Sequence, residues 1–151
     1  MLFKLLEFLS IMLSALVGGL YWGPWLALSR TLKVFEPIIF LAVVNQMNRN
    51  MSFLMTILTP LALLSIIPTM IMSYQINAIK FYLISIGFIM FLAALLVTVL
   101  IEVPLVKQMI EWKIDKLPSK WEQIRDKWVK FHIARVLSAV FGLAFLISAL
   151  L

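Results

Sequence analysis

Residues 119–135 read SKWEQIRDKWVKFHIAR, and this stretch, together with the apolar run that follows it, decides the fold. Ser119 and Glu122 have the spacing of a capping box, which predicts that a helix begins at Ser119. The helix would continue into residues 136–151, which contain no charged side chain. A long apolar run of this kind indicates a membrane span. We therefore expect one helix with a polar first half and a membrane-spanning second half.

Two tryptophans, two arginines and the only histidine of the chain fall on one face of this predicted helix. Measured from Trp121 at about 100° per residue, Arg125 lies at about 40°, Trp128 at about −20°, His132 at about 20° and Arg135 at about −40°. Residues 136–151 rise only about 24 Å as a helix, whereas the hydrocarbon core is roughly 30 Å thick. If the carboxylate of residue 151 is to reach water, the span must therefore begin near residue 131. A charged residue at the hydrocarbon edge is costly and is expected to face the protein interior and a partner. The alternative for the same pattern is an interfacial tryptophan belt with snorkelling arginines.

The composition is that of a membrane protein. The 151-residue chain is 64% hydrophobic and 13% charged, with a mean hydropathy of +1.07, whereas soluble domains carry about 25% charged residues. The absence of cysteine excludes disulfides and thiolate metal sites. The net charge of +6 does not indicate nucleic-acid binding, because the basic residues lie beside the predicted spans.

Uncharged runs predict a single transmembrane domain over residues 1–151, with four spans at about 8–28, 51–75, 81–101 and 131–151. Short amphipathic helices on the membrane surface are predicted between spans 1 and 2 and between spans 3 and 4. The fold class is therefore an all-α integral membrane four-helix bundle. The small residues Ser14 and Gly18 would let another helix approach closely, and that face of the first span could support a homo-oligomer. Pro24 is expected to kink or open the first span.

Three further groups of residues are candidates for a site. Tyr21, Trp22 and Trp25 would form either an interfacial aromatic belt or one wall of a pocket. Glu102, a carboxylate at a span boundary on the same side as His132 and Arg135, is either the partner of Arg135 or an exposed glutamate at the end of a helix. A polar stripe on the second span would either hydrogen-bond to other helices or line a cavity; its members are Asn45, Asn48, Ser52, Thr56 and Thr59.

The basic residues are distributed unequally between the two sides. The connections after spans 1 and 3 hold eleven of the 13 Lys and Arg residues, and only Lys4 and Lys80 lie on the other side. By the positive-inside rule, the basic connections are expected in the cytoplasm and both termini outside. The eleven are Arg30, Lys33, Arg49, Lys107, Lys113, Lys116, Lys120, Arg125, Lys127, Lys130 and Arg135.

The residues available restrict the chemistry. With one histidine and no cysteine, a conventional zinc or facial-triad iron site cannot be built from one chain, and no cofactor is predicted. Haem held by His132 and a methionine stays conceivable, although nothing selects the methionine. An acid–base site without a metal is the remaining possibility. In it, His132 would exchange a proton, Arg125 and Arg135 would stabilise an anion, and Trp121 and Trp128 would stack on an aromatic ring.

The run through Trp121, Arg125, Trp128, His132 and Arg135 resembles the W-x3-R-x2-W-x3-H-x2-R signature of the DUF1772, or anthrone oxygenase-like, membrane proteins. The resemblance extends back to Pro104 and Trp112 and, more loosely, to the first span. It implies a four-helix membrane protein. Some fungal members of this family are linked to the oxidation of anthrones to anthraquinones without a bound metal or flavin.

Three functions are therefore open at this stage. The first is a cofactor-independent oxidoreductase acting on a lipophilic aromatic or quinone-type compound. The second is a non-enzymatic membrane protein that binds lipid headgroups or a protein partner. The third is a small transporter or channel lined by the polar stripe. Membrane lipid and a lipophilic small molecule are the expected partners, and nucleic acid is not.

Overall fold

The computed structural model describes residues 1–29 and 31–151, and every regular element in that part of the chain is a helix. Arg30, counted above among the basic residues, lies outside the described residues. The longer helices are α1 (Leu2–Pro24), α2 (Pro37–Ile76), α3 (Ala78–Val97), α4 (Val103–Ile110) and α5 (Trp121–Ser148). Two π-helical turns, Trp25–Ser29 and Thr98–Glu102, and two 3₁₀ turns, Leu32–Val34 and Ile114–Lys116, lie between them.

Four helical segments are long and apolar enough to cross a membrane: Leu2–Leu28, Pro37–Ile76, Ala78–Ile110 and Trp121–Ser148. They pack together, with α3 against α5 and α1 against α2 as the most extensive contacts. This confirms the predicted all-α four-helix membrane bundle.

The segments predicted as surface helices are continuous with the spans. The first is the beginning of α2, which has 40 residues and is therefore about 60 Å long, twice the hydrocarbon thickness. Its polar side chains bond within the helix: Asn45 Nδ2 donates to Leu41 O at 2.8 Å, and Gln46 Nε2 to Asn50 Oδ1 at 3.0 Å. The second is α4, which continues α3 through the π turn Thr98–Glu102.

The proline positions have different consequences. Pro24 is followed directly by the π turn Trp25–Ser29, which agrees with the predicted local opening of the first span. In contrast, α2 stays helical through Pro60 and Pro68. The other π turn immediately precedes the residues around Pro104, and it contains Glu102.

The capping box predicted at Ser119 does not form. The α5 helix begins at Trp121 with Lys120 as its N-cap, and no side chain caps it. Backbone carbonyls instead receive the first amides, since Trp121 N donates to Pro118 O at 3.0 Å and Gln123 N to Lys120 O at 3.1 Å. The turn that starts at Pro118 therefore satisfies these donors without the Ser119 side chain.

The interior has two apolar parts. The membrane core packs Val17, Ile66, Ile84, Phe91 and Val136 among its buried residues. The basic-end core lies at the end of the bundle that carries the connections after α1 and α4, and it includes Leu32, Phe40, Leu105, Met109 and Trp128. Helices extend beyond the predicted spans because their outer turns bury side chains in this second core.

α3 and α5 approach each other closely at two glycines. A Cβ built on Gly87 would lie 2.9 Å from the Leu146 side chain and 3.1 Å from Gly142 O, and one on Gly142 would lie 2.9 Å from the Phe91 ring. At Gly18, an added Cβ would meet nothing within 4 Å. The close approach predicted at Gly18 is therefore found elsewhere, at the glycines of α3 and α5.

Candidate functional site

A cavity of about 520 Å³ lies between α2 and the third span, with α5 and the end of α1 completing its wall. Apolar side chains form more than half of the lining, and most of the polar lining residues come from α2 on one side and from α5 and the π turn Thr98–Glu102 on the other. Several lining residues, including Ser52, Thr56, Val99 and Val103, are exposed on the surface of the bundle. The volume falls within the range of pockets that bind small molecules.

A buried ion pair joins Glu102 and Arg135 at this cavity. Arg135 Nη1 contacts Glu102 Oε2, and the two side chains are only 11% and 4% exposed. The same Nη1 lies 3.3 Å from Thr98 Oγ1, to which it donates. Thr98 and Glu102 begin and end the π turn, so this local widening of the helix supplies both partners of the guanidinium. Glu102 is thus confirmed as the partner of Arg135.

His132 completes a three-residue group with this pair. Its Nδ1 lies 2.6 Å from Arg135 Nη2 and 3.5 Å from Glu102 Oε1. A guanidinium can donate hydrogen bonds but cannot accept them. Nδ1 must therefore accept from Arg135, which places the proton of the neutral imidazole on Nε2. His132 is 1% exposed, so this tautomer is held inside the protein.

Tyr21 supports Arg135 from the first span. The guanidinium carbon of Arg135 lies 4.3 Å from the centre of the Tyr21 ring, a cation–π contact. The Tyr21 hydroxyl and Thr59 Oγ1 are 3.1 Å apart and share a hydrogen bond. Tyr21 is the member of the predicted aromatic group around Pro24 that lies inside the bundle. Its position on the same helical face as Ser14 and Gly18, all three buried, is the sequence signal that places it inside the bundle.

Within the described part of the chain, four buried polar atoms around the cavity have no hydrogen-bond partner. They are Trp128 Nε1, His132 Nε2, Arg135 Nε and Glu102 Oε1, and all four residues line the cavity. A buried polar atom left unpaired costs about 1–3 kcal/mol, and such groups are rare in folded proteins. Three donors and one acceptor at one cavity are therefore available to a bound molecule with polar groups.

Trp121 and Arg125, which begin the face predicted on α5, lie outside the cavity. Arg125 is buried, with its guanidinium carbon 5.0 Å from the Trp121 ring centre. Its Nη1 donates to Lys33 O at 3.4 Å and its Nε to Asp126 Oδ1 at 3.1 Å. The Trp121 ring contacts Phe40 at a centroid distance of 5.8 Å. These contacts fasten α5 to α2 and to the connection after α1.

Some of the remaining site residues predicted from the sequence line the cavity, and others lie outside it. Asn48 lines the cavity with Ser52, Thr56 and Thr59, which places most of the polar stripe on its wall. Asn45 is exposed and lines a separate surface groove beside Trp112. Trp22 is 41% exposed, Trp25 packs against the membrane core, and neither belongs to the cavity lining.

The site can hold a proton on His132 Nε2 and accept one at Glu102 Oε1, beside a guanidinium charge that stabilises a nearby anion.

Comparisons with protein-family models, with curated proteins and with solved structures found no match to this chain.

Proposed function

We propose that this integral membrane protein binds a lipophilic aromatic or quinone-type compound in the cavity and oxidises such a compound without a resident cofactor. The observation that carries the proposal is the combination of an apolar cavity with the buried group Glu102, Arg135 and His132 on its inner wall. Pockets for small molecules have this composition, mostly apolar with a few convergent polar groups.

The exposed rim supports access from the bilayer. Val99 and Val103 line the cavity and are 53% and 39% exposed on the outside of the bundle. In a membrane, such side chains face lipid, so an apolar compound would reach the cavity without crossing water. His132 and Arg135 on α5 would then orient the oxygen-bearing end of the compound.

The chemistry proposed is the oxidation of an activated ring CH₂ group by dioxygen dissolved in the bilayer. Overall, the CH₂ group and O₂ give a carbonyl group and water, so the substrate is oxidised and dioxygen is reduced. Transfer of the first proton to Glu102 Oε1 would create an enolate and leave Glu102 neutral, so that the positive charge of Arg135 and the N–H of His132 would stabilise the enolate oxygen. Arg125 lies outside the cavity, so the proposal assigns no anion to it. The resemblance to the anthrone oxygenase-like family supports this reaction class.

Two other functions fit the geometry less well. A headgroup anchor needs Arg125 and Arg135 pointing outward, but the first is 6% exposed and the side chain of the second 11%. A channel needs a polar path across the bilayer, whereas the helices beyond the cavity pack apolar residues such as Ile66, Phe91 and Val136.

For the orientation, we propose that the basic end faces the cytoplasm and that both termini lie outside. The charge distribution supports this through the positive-inside rule. A reporter enzyme that is active only outside the cytoplasm, fused after Leu151, should be active, and the same reporter inserted after Lys113 should be inactive. The reverse pattern would contradict the proposed orientation.

The test of activity uses the full chain in lipid nanodiscs with anthrone as the substrate. Anthraquinone formation and oxygen consumption should proceed with one O₂ consumed per anthraquinone. His132→Ala removes a hydrogen-bond donor to the enolate oxygen and should lower the rate at least about 100-fold. Trp22→Phe, at an exposed position outside the cavity, is the matched control and should retain the rate. Equal rates for wild type and His132→Ala would overturn the enzymatic proposal.

A further inference from the structure

The unpartnered donors on α5 point to a specific kind of ligand group. Trp128 and His132 are one helical turn apart, with ring centroids 5.8 Å from each other and planes inclined by 31°. Each carries one buried N–H without a partner, Nε1 in the indole and Nε2 in the imidazole. The two residues are 4% and 1% exposed, so bulk water does not satisfy these donors.

We infer that Trp128 Nε1–H and His132 Nε2–H form a paired-donor subsite for an uncharged carbonyl group of the ligand. The inference rests on the proposed function, because it assigns the polar contacts within the same cavity. It also changes the expected role of His132. With its proton on Nε2, the imidazole presents a donor to the ligand, and Glu102 Oε1 is the unpartnered acceptor.

The position of the imidazole proton follows from Arg135. Because the guanidinium donates to Nδ1 over 2.6 Å, a proton on Nδ1 would place two donors against each other. The Arg135 side chain is itself fixed by Glu102, Thr98 and the Tyr21 ring. The residues that surround Arg135 therefore hold His132 as an Nε2–H donor.

The preference for an uncharged group follows from the charges at the cavity. Glu102 and Arg135 neutralise each other, and His132 as a neutral imidazole adds no charge. Among residues 1–29 and 31–151, Lys107 is the other charged residue of the lining, and it is exposed. A buried carboxylate on the ligand would therefore lack a counter-charge within the site, which is unfavourable at low dielectric. A carbonyl oxygen accepts both hydrogen bonds without adding charge.

The single histidine makes the inference directly measurable. Protein labelled with ¹⁵N-histidine, in nanodiscs, gives ring nitrogen signals from His132 alone. Without ligand, Nε2 should have the shift of a protonated nitrogen and Nδ1 that of an unprotonated one. Three probes share a naphthalene frame: 2,3-dimethyl-1,4-naphthoquinone with carbonyl groups, 2,3-dimethylnaphthalene without oxygen, and 2-naphthoate with a negative charge. The quinone should shift the Nε2 signal and bind at least about tenfold more tightly than the other two.

Variants separate the hydrogen bonds from folding. Trp128→Phe keeps an aromatic ring but removes the indole N–H, and it should weaken quinone binding about tenfold while hardly changing the binding of dimethylnaphthalene. His132→Gln, which keeps an N–H donor, should bind the quinone more tightly than His132→Leu.

The outcomes distinguish the inference from the proposed function. A proton on Nδ1, or quinone and dimethylnaphthalene binding with equal affinity and no Nε2 shift, would overturn the paired-donor subsite while leaving an apolar binding cavity. If none of the three probes bound to folded wild-type protein, the proposed function would fail as well.

Discussion

Arg135 on α5 is ion-paired with Glu102, the last residue of a π turn, and the pair lies where the membrane core meets the basic-end core. The pair is almost entirely buried. It neutralises two charges that would each be costly at the edge of the hydrocarbon, and it fixes the guanidinium against His132. The same interaction therefore joins the third span to the fourth and sets the proton position at the cavity.

Replacing one member of this pair should strongly destabilise the protein. Glu102→Gln leaves the Arg135 charge buried without its counter-charge, and the expected loss is about 3–5 kcal/mol in the free energy of unfolding. The measurement is reversible unfolding in mixed micelles. Glu111→Gln, at an exposed position close to the same connection, should change stability by less than about 0.5 kcal/mol.

The double variant Glu102→Gln, Arg135→Gln provides a further control. Because it removes both charges, it should be more stable than Glu102→Gln alone. The single variant Arg135→Gln completes the comparison. If the losses of stability in Glu102→Gln and in Arg135→Gln simply added in the double variant, the two side chains would not be energetically coupled.

The glycine contact between α3 and α5 should not tolerate a methyl group. At Gly87 and at Gly142 an added Cβ would meet neighbouring atoms at 2.9 Å, so each Gly→Ala change should cost about 1–3 kcal/mol through overpacking. Gly19→Ala is the control, because its Cβ would meet nothing within 4 Å. Thermal unfolding of the three variants in one detergent would test this, and equal midpoints would contradict the close contact.

Tyr21 should contribute through its ring and its hydroxyl separately. Tyr21→Phe removes the hydrogen bond to Thr59 and should cost about 1 kcal/mol. Tyr21→Leu also removes the ring beneath Arg135 and should cost more, because the cation–π contact is lost. The His132 ring signals report the local effect: they should change with Tyr21→Leu and stay close to wild type with Tyr21→Phe. The opposite order would refute the role given to the ring.

Arg125 and Arg135 should behave differently although they lie on the same helical face. Arg125→Met removes the contacts with the Trp121 ring and with Lys33 O, and it should lower stability by about 1–3 kcal/mol. Quinone binding should stay within about twofold of wild type, because Arg125 does not line the cavity. A tenfold loss of binding in folded Arg125→Met would show that the residues from Trp121 to Arg135 on this face of α5 act as one site.

Much of the fold and part of the site could be predicted from the sequence. Uncharged runs are long enough to identify the spans, and a basic residue at the hydrocarbon edge must find a partner, which led to Glu102. The polar residues of the second span could be placed on one face because lipid cannot satisfy them. Four of them line the cavity: Asn48, Ser52, Thr56 and Thr59.

Helical angles identify a face but do not identify its neighbour. Trp121 and Trp128 share a face, yet Trp121 packs beside Phe40 outside the cavity because α2 extends beyond the membrane. The aromatic residues near Pro24 gave no indication that Tyr21 alone turns inward. The π turn that aligns Thr98 with Glu102 is a departure from helical periodicity, and no periodic analysis could predict it. The capping box failed because the turn at Pro118 satisfies the helix start through the backbone.

The most direct test of the binding cavity is a pair of phenylalanine substitutions on neighbouring residues of α2. Thr56 lines the cavity at its exposed rim, whereas Ile57 is exposed and outside the lining. Binding of 2,3-dimethyl-1,4-naphthoquinone to the protein in nanodiscs would be measured for wild type, Thr56→Phe and Ile57→Phe. Thr56→Phe should weaken binding at least about tenfold and Ile57→Phe should leave it unchanged. Equal affinity for all three proteins would contradict a ligand site between α2 and the third span.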